Sequence, residues 1–600
     1  MAEAETRRKA RSAKTRSVPA VRRAAELAPG IAMVLLDSNG AERPPTVELA
    51  QLENGASGSE AVELRLASGG RLELPAEQWE EVSGELKGLI RDELAPLDCE
   101  DREAILATLA AATGLDGQAS FELSRSLHAI REVLRERLPR CAVSESQPFG
   151  LAVEEVLRVD DSTFWINGWV HDEDGRGEVW VVSPEGARAS LMDTAYRYTR
   201  PDVVQFYSGF GGDRGRRHGF TACVSLPAAS RLVEGWIAEL HTSDGIQVEV
   251  QCPTAASEPQ AVRSRILGEL GAKGPVGGEL AERHGRSALT RLQERIVGES
   301  KLDSVDVYGS PPSSPMVSVV VPLYKRLDFV EHQLLQFSRD PEFDAVELIY
   351  VLDSVDQKDE LARQAQQLFA LYGLPFRVVN PTAGAGFAGA NDHGIGVAGA
   401  ERLLLLNSDV IPDRPGWIGA MSEFYERTPK IGALGPKLLY EDDSLQHAGL
   451  YFHREAGSGL WSNAHCFKGL HRTFPAANVA RPVPAVTAAC MMIDRALYEE
   501  VGGLPHHYVQ GDYEDSELCL RLAAAGRESW YLPSVELYHL EGQSYVADAR
   551  RVPSEYNMWL HSSLWKEQIE RSMAEFDPND PSKEHAVEPL AGRRNDSESS

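Results

Sequence analysis

Four short apolar runs constrain this chain most: Val317-Ser318-Val319-Val320-Val321, Val346 to Leu352, Phe376-Arg377-Val378-Val379 and Leu403-Leu404-Leu405-Leu406. Continuous apolar runs of this length, separated by stretches with helical spacing, read as parallel strands covered on both faces. The first run stops at Pro322-Leu323-Tyr324, the second at Asp353, the third at Asn380-Pro381 and the fourth at Asn407-Ser408-Asp409. In open α/β sheets, ligands collect outside the carboxyl ends of the strands, near a topological switch point. Two acids at two strand ends, Asp353 and above all Asp409, therefore mark a candidate site.

The gaps hold helices. Asp356 to Tyr372 carries Leu361, Ala365, Leu368 and Leu371 at helical spacing and ends at Gly373. Pro415 to Arg427 reads as a second helix with proline in its first turn. Gly384-Ala385-Gly386-Phe387-Ala388-Gly389-Ala390-Asn391 is a glycine-rich entry to a helix, whose backbone N–H groups offer a place for an anion.

Seven phrases in order resemble the family 2 glycosyltransferases of the nucleotide-sugar-binding GT-A fold: VSVVVPLY at 317–324, VLDS at 351–354, GFAGANDHGIGVA at 386–398, LLLLNSDV at 403–410, TAACMMIDRALYEEVGGLPHHY at 487–508, YEDSELCLRLAAAGRESWYLP at 513–533 and LYHLEGQS at 537–544. The resemblance covers roughly 316–545 and implies an α/β, Rossmann-like catalytic domain acting on a nucleoside-diphosphate sugar. Sugar transfer builds negative charge on the departing pyrophosphate, which a divalent cation neutralises as a Lewis acid. Oxygen donors suit Mg2+ or Mn2+. By resemblance Asp409 is the metal ligand, although Asn407 stands where a DXD-type motif carries its first acid, and His539 supplies a further metal or pyrophosphate contact. Asp515, the second acid of Glu514-Asp515, matches the general base that takes the proton of the attacking hydroxyl, and attack opposite the leaving group inverts the anomeric centre. The resemblance also gives Asp353 to the nucleotide base, Pro322 and Tyr324 to the floor of its pocket, and Asn407 and Ser408 to the donor. Asn391 and Arg521 match recurrent polar positions of the family, and Asn391 is placed by resemblance with the residues that bind the donor.

Plainer readings exist for the same residues. Asp409 fits a strand-end turn, Asp515 an acid in a helix's first turn, Asp353 a helix cap, and His539 a merely hydrogen-bonded histidine. His447, His453, His465, Cys466 and His471 match no zinc spacing and read as a loop shaping an acceptor pocket. Trp461 fits ordinary packing at least as well as sugar stacking.

Six hundred residues exceed one domain. Residues 1–25 read as a disordered basic tail, 26–142 as a small α+β region, 143–256 as a β-sandwich-like module, 257–314 as a helical linker, 315–575 as the catalytic domain and 576–600 as a disordered tail. Val62 to Leu66 and Arg71 to Leu74 alternate as a hairpin around Ser68-Gly69-Gly70. Helical patterns follow over Trp79 to Leu94, Arg102 to Thr113 and Phe121 to Leu138, and a closing helix over Tyr556 to Met573. INGWVHDEDG resembles β-rich modules that precede some bacterial polysaccharide glycosyltransferases, with Trp165, Trp169 and Trp180 better suited to core than to platform. Seven cysteines without a CxxC pair suit reduced thiols, and no run approaches the ~20 apolar residues of a membrane span. A formal charge of −29 disfavours nucleic acid as a partner.

The expectation is an inverting, metal-dependent glycosyltransferase of bacterial surface polysaccharide synthesis, cytoplasmic and at most peripheral at the inner face of the membrane, acting on a glycan or lipid-linked glycan acceptor, with room for an oligomer. The alternatives are a catalytically silent GT-A scaffold that binds or assembles glycan, and a nucleotidyltransferase, which has no need of the Glu514-Asp515 pair.

Overall fold

The computed structural model describes residues 20–578 except 30, 37–45, 53–60, 67, 69–70, 98–100, 103–104, 106–108, 110–120, 136, 173–174, 211–216, 227–230 and 541–546. Outside the described residues lie the expected tails over 1–19 and 579–600, most of the helix expected at 102–113, the glycines of the hairpin turn and the end of LYHLEGQS. The chain divides into two compact units, Met1–Val262 and Arg263–Ser600.

The first unit opens with a five-stranded antiparallel meander, Val21–Ala28, Ile31–Leu36, Thr46–Leu52, Ala61–Leu66 and Arg71–Pro75, in sequence order. Its first strand begins inside the stretch expected to be tail. Ala24, Ala25 and Leu27 are buried there, and Arg22 reaches Glu93 at 2.9 Å, so the basic residues border a core. The expected hairpin forms, with Val62 opposite Leu74 and Leu64 opposite Leu72. The helical pattern from Trp79 breaks up into Ala76–Val82, Leu86–Leu89 and a wider turn at Ile90–Leu94, whereas Phe121–Leu134 forms as one helix.

Two four-stranded antiparallel sheets follow between Phe149 and Gln251. Leu151, Phe164, Ile166 and Phe220 of one share a core with Val179, Val181, Ala238 and Leu240 of the other, which is sandwich packing. Trp165 is fully buried, and Trp180 is capped by the Arg188 guanidinium at 4.7 Å.

An eleven-stranded sheet organises the second unit. Its strands are β1 (Leu302–Tyr308), β2 (Val317–Leu323), β3 (Val346–Leu352), β4 (Phe376–Pro381), β5 (Arg402–Leu406), β6 (Val410–Pro412), β7 (Ile431–Leu439), β8 (Leu445–His447), β9 (Arg481–Val483), β10 (Cys490–Asp494) and β11 (Glu528–His539). They run in the order β1-β4-β3-β2-β5-β10-β7-β11-β6, with β8 on β7 and β9 on β11. β4, β3, β2 and β5 are mutually parallel, and β10 turns antiparallel to β5. The unbroken apolar runs have a simple cause: Val317, Val319 and Val321 enter one core while Val320 enters the core on the other face.

Three expectations need correction. The stretch 257–314 is more than a linker, since after the helices Pro259–Ala272 and Arg286–Glu299 it supplies the edge strand β1, antiparallel to β4. Asp303 and Asp306 on that edge disguise it, as charges on edge strands do. The helix expected from Pro415 begins at Trp417, because Gly416 takes φ 85° as its N-cap and leaves the proline outside. The closing helix spans Ala547–Glu575 and runs through Pro553.

Lys437, only 1% exposed on β7, donates to Glu536 Oε1 at 2.7 Å, to Asn478 Oδ1 at 2.7 Å and to the Arg472 carbonyl at 3.2 Å. Removing one partner of a buried pair leaves the rest desolvated. Lys437→Met is expected to cost about 3 kcal/mol, measurable as a lower midpoint in urea unfolding.

Candidate active site

The carboxyl end of β5 leads into a tight turn, with the Val410 amide donating to the Asn407 carbonyl at 3.2 Å and the Asn407 amide donating to Ala489 at 2.9 Å. Fully buried Gln333 fixes the turn from beneath, its Nε2 donating to the carbonyls of Asn407 (2.9 Å) and Val410 (3.1 Å). Asp409 is thereby held at the tip. β6 then pairs with β11 so that Val410 faces His539, and the Leu540 amide donates to the Asp409 carbonyl at 3.1 Å. This register brings His539 Nε2 to 3.4 Å from Asp409 Oδ1.

Asp353, at the end of β3, accepts from the amides of Ala385 (2.7 Å) and Gly386 (3.0 Å) through one oxygen, Oδ1. These amides open the helix α1 (Gly386–Val397). The glycine-rich entry does face an anion, and the anion is the side chain of Asp353. Asp353 thus caps a helix from across the chain, while the helix that follows it in sequence has no side-chain cap. Burial raises its pKa above the usual carboxylate range, although both amides oppose the shift.

Asp515 sits in the first turn of α2 (Glu514–Ala524), its carboxylate accepting from Ser516 N at 2.7 Å and Ala488 N at 3.3 Å. Burial raises its pKa against those bonds. Burial, then the charge of Asp515, drives Glu514 well above its ordinary value. Both carboxyls are thus shifted upward, and Asp515 is the one that accepts the amides of Ser516 and Ala488.

The loop entering α2 has an unusual backbone. Gln510, Gly511, Asp512 and Tyr513 take φ of 62°, 100°, 82° and 77°, a left-handed run that costs side-chain-bearing residues energy unless the surroundings enforce it. The helix α3 (Ala547–Glu575) enforces it. Fully buried Asn557 accepts from Val509 N at 2.9 Å and donates to the carbonyls of Val509 (3.0 Å), Gly511 (2.8 Å) and Asp512 (3.4 Å). Arg550 and Ser554 bind the Asp512 carboxylate. Sequence patterning gave no sign of this clamp. Asn557→Ala leaves the Val509 amide and three loop carbonyls without their partner and is expected to cost about 2 kcal/mol, read as a lower midpoint in urea unfolding.

All these strand ends open on one cavity of about 490 Å3, within the ordinary range for small-molecule sites. Pro322, Tyr324, Asp353, Asn407, Ser408, Asp409, Glu514, Asp515 and His539 all line it. Asn391 does not: it is fully buried in α1 and donates to the Phe387 carbonyl at 2.9 Å. Arg521 pairs with Glu517 and stays out of the cavity lining. Of the scattered histidines, His465 reaches the wall and its Nδ1 lies 2.9 Å from Nδ1 of buried His447. Among the described residues no group of three or more His, Cys, Asp or Glu is placed to hold a metal, so Asp409 and His539 form a pair of donors and no more. Trp461 packs beside the hydrophobic core, and its backbone amide donates to Ser562.

Residues 312–554 match the model described as "Glycosyltransferase like family 2". This stretch is a family 2 glycosyltransferase domain. The chain is also 28% identical over 278 residues to the uncharacterised protein y4gI of Sinorhizobium fredii, covering 44% of this chain and 29% of that one. It is 29% identical over 263 residues to the O-antigen biosynthesis protein RfbC of Myxococcus xanthus, covering 42% of this chain and 19% of that one. Over 158 residues it is 29% identical to the N-acetylglucosaminyl-diphospho-decaprenol L-rhamnosyltransferase of Mycobacterium tuberculosis, covering 24% of this chain and 49% of that one. The chain thus spans less than a third of the length of the first two relatives. The matched stretch holds every cavity-lining residue named above. Asn557 of the clamp lies just beyond it.

Proposed function

We propose that the family 2 domain transfers a sugar from a nucleoside-diphosphate sugar to a hydroxyl of a glycan or lipid-linked glycan, with inversion at the anomeric carbon. The observation that carries this is the convergence of Asp353, the Asp409–His539 pair and Asp515 on one cavity at the carboxyl ends of the strands. The nucleotide enters at the β3 and β2 end, against Asp353, Pro322 and Tyr324. Asp515 accepts the proton of the attacking hydroxyl, and its two amide donors hold the carboxylate in place for that transfer.

Asp409 and His539 fit a divalent cation. Their facing atoms, His539 Nε2 and Asp409 Oδ1, are 3.4 Å apart, near the roughly 3 Å between adjacent ligands of a small octahedral ion. One or two protein ligands are what Mg2+ requires when phosphate oxygens complete its shell. When bound, the ion neutralises the pyrophosphate leaving group. With Asn407 neutral, Asp409 is the one carboxylate of its turn that would hold the ion, beside His539.

The names of RfbC and the mycobacterial rhamnosyltransferase support a place in bacterial envelope polysaccharide synthesis, with cytoplasmic chemistry at or near the inner membrane face. No helix among the described residues is long and apolar enough to cross a membrane. The test is binding of UDP-, GDP-, dTDP- and CDP-sugars by thermal shift, with Mn2+, Mg2+ or chelator. Metal-dependent stabilisation by one nucleotide class is expected. Indifference to the whole panel would move the reading to a silent glycan-binding scaffold.

A further inference from the structure

Gln446 is a buried amide with an unmet need. It lies in the short strand β8, is 3% exposed, lines the cavity, and its Oε1 accepts no hydrogen bond from any described residue. An amide oxygen shut away from water without a partner is unfavourable, so the fold retains it at a cost in stability.

The backbone shows how the residue comes to point there. In the β7–β8 ladder Leu438 faces His447 and Leu439 faces Leu445. Two consecutive residues of β7 thus face two of β8 that are not consecutive, and Gln446 between them is the unpaired residue of a β-bulge. Bulges re-aim a side chain beside active sites. Without the extra residue, strict alternation would place residue 446 on the face opposite to both neighbours.

The position along the sheet says what Gln446 meets. From β3 to β7 the order is β3, β2, β5, β10, β7. Asp353 closes β3, Tyr324 follows β2, Asp409 follows β5, and the amide of Ala488 that holds Asp515 precedes β10. Gln446 stands next in this series, on the side of Asp409 and Asp515 away from Asp353. Asn463 also lines the cavity; its Nδ2 donates to Ser516 beside Asp515 at 3.0 Å, and its Oδ1 accepts nothing among the described residues. If the nucleotide lies at Asp353 and the pyrophosphate at Asp409, the group that comes up against these two unpartnered amide oxygens is the sugar being transferred.

We infer that Gln446, aimed by the bulge, is a specificity-determining residue that accepts a hydrogen bond from a hydroxyl of the donor sugar, with Asn463 as a second acceptor on the same wall. This rests on the glycosyltransferase reading of the cavity. It concerns the sugar alone and makes no claim on the nucleotide.

The experiment compares wild type with Gln446→Leu by calorimetric titration, using each sugar nucleotide of the UDP, GDP, dTDP and CDP panel and the matching nucleoside diphosphate without sugar. Leucine keeps the size and removes the unpaired amide, so the ligand-free melting temperature should be unchanged or higher. The affinity for the sugar nucleotide should fall about tenfold while that for the bare nucleoside diphosphate stays as it was. Equal losses for both ligands would make Gln446 part of the nucleotide site or of the fold and overturn the inference. So would an unchanged affinity for the sugar nucleotide. A wild-type protein that binds no member of either panel would instead bring down the glycosyltransferase reading, and this inference with it. Gln446→Glu is the second variant: it keeps an acceptor at the same reach, so it should retain more sugar-dependent affinity than leucine, and the reverse ranking would count against a hydroxyl donor.

Discussion

Asp515→Asn is expected to reduce sugar transfer by about a thousandfold, within the span that general-base catalysis supplies, while leaving the affinity for the donor within about twofold. Asparagine has the same shape, and its side-chain oxygen can still accept from Ser516 N or Ala488 N. What it lacks is a lone pair basic enough to take the hydroxyl's proton. The pH profile gives a second readout. Burial raises the Asp515 pKa, and the base works only when ionised. Wild-type kcat/KM should therefore fall as pH drops through a limb displaced above the ordinary carboxylate range, and that limb should be missing from the residual rate of the variant. The stability sign is opposite. A carboxyl whose folded pKa is raised stabilises the fold below its unfolded pKa and loses that contribution as pH rises through the folded one. Once Asp515 ionises the wild type has lost it and asparagine never had it to lose, so the stability of the variant relative to wild type should improve as pH rises. Loss of donor affinity equal to the loss of rate would refute the assignment.

The parts of this molecule that were legible in its sequence are those fixed by local pattern. Val317 to Val321 and Leu403 to Leu406 announced buried parallel strands because successive residues must enter two different cores. Asp353 and Asp409 followed as acids at strand ends. The Gly373 stop was readable too, since its φ of 68° suits glycine. What escaped was set by distant partners. β1 reads as a polar linker because its edge position tolerates Asp303 and Asp306, and only pairing with β4 makes it a strand. Val21 to Ala28 hides among arginines that find acids about seventy residues away. In the site, the left-handed run from Gln510 to Tyr513 contradicts local preference at three of its four residues, and Asn557, far along the chain, is what holds it. The bulge at Gln446 has no signature in SLQHAGL, for a bulge is defined by the opposite strand. Asn391 stands apart: a family resemblance gave it prominence, while the structure buries it within its helix, donating to the Phe387 carbonyl.

Asp409→Ala is expected to abolish the metal dependence of donor binding and to weaken that binding about tenfold or more. The argument starts from the scarcity of charge at this turn. Asn407 and Ser408 are neutral, and among the described residues His539 is the one other donor brought to Asp409, at 3.4 Å. Removing the carboxylate leaves a single imidazole, too little to hold a hard cation that prefers oxygen. The turn itself should survive, because its bonds run through backbone groups and Gln333: Val410 N to the Asn407 carbonyl, Leu540 N to the residue 409 carbonyl, and Gln333 Nε2 to Asn407 and Val410. The circular dichroism spectrum and ligand-free melting temperature should therefore stay close to wild type, separating a binding defect from a folding defect. Titration of donor with Mn2+ and again with chelator decides the matter. Wild type should lose affinity on chelation, and the variant should bind weakly and equally in both. A variant that still gains affinity from Mn2+ would show that the cation is held elsewhere. A wild type indifferent to chelator would mean that the pyrophosphate is neutralised by fixed cations of the protein, for which Lys468 and Arg550 on the cavity wall would be the groups to substitute next.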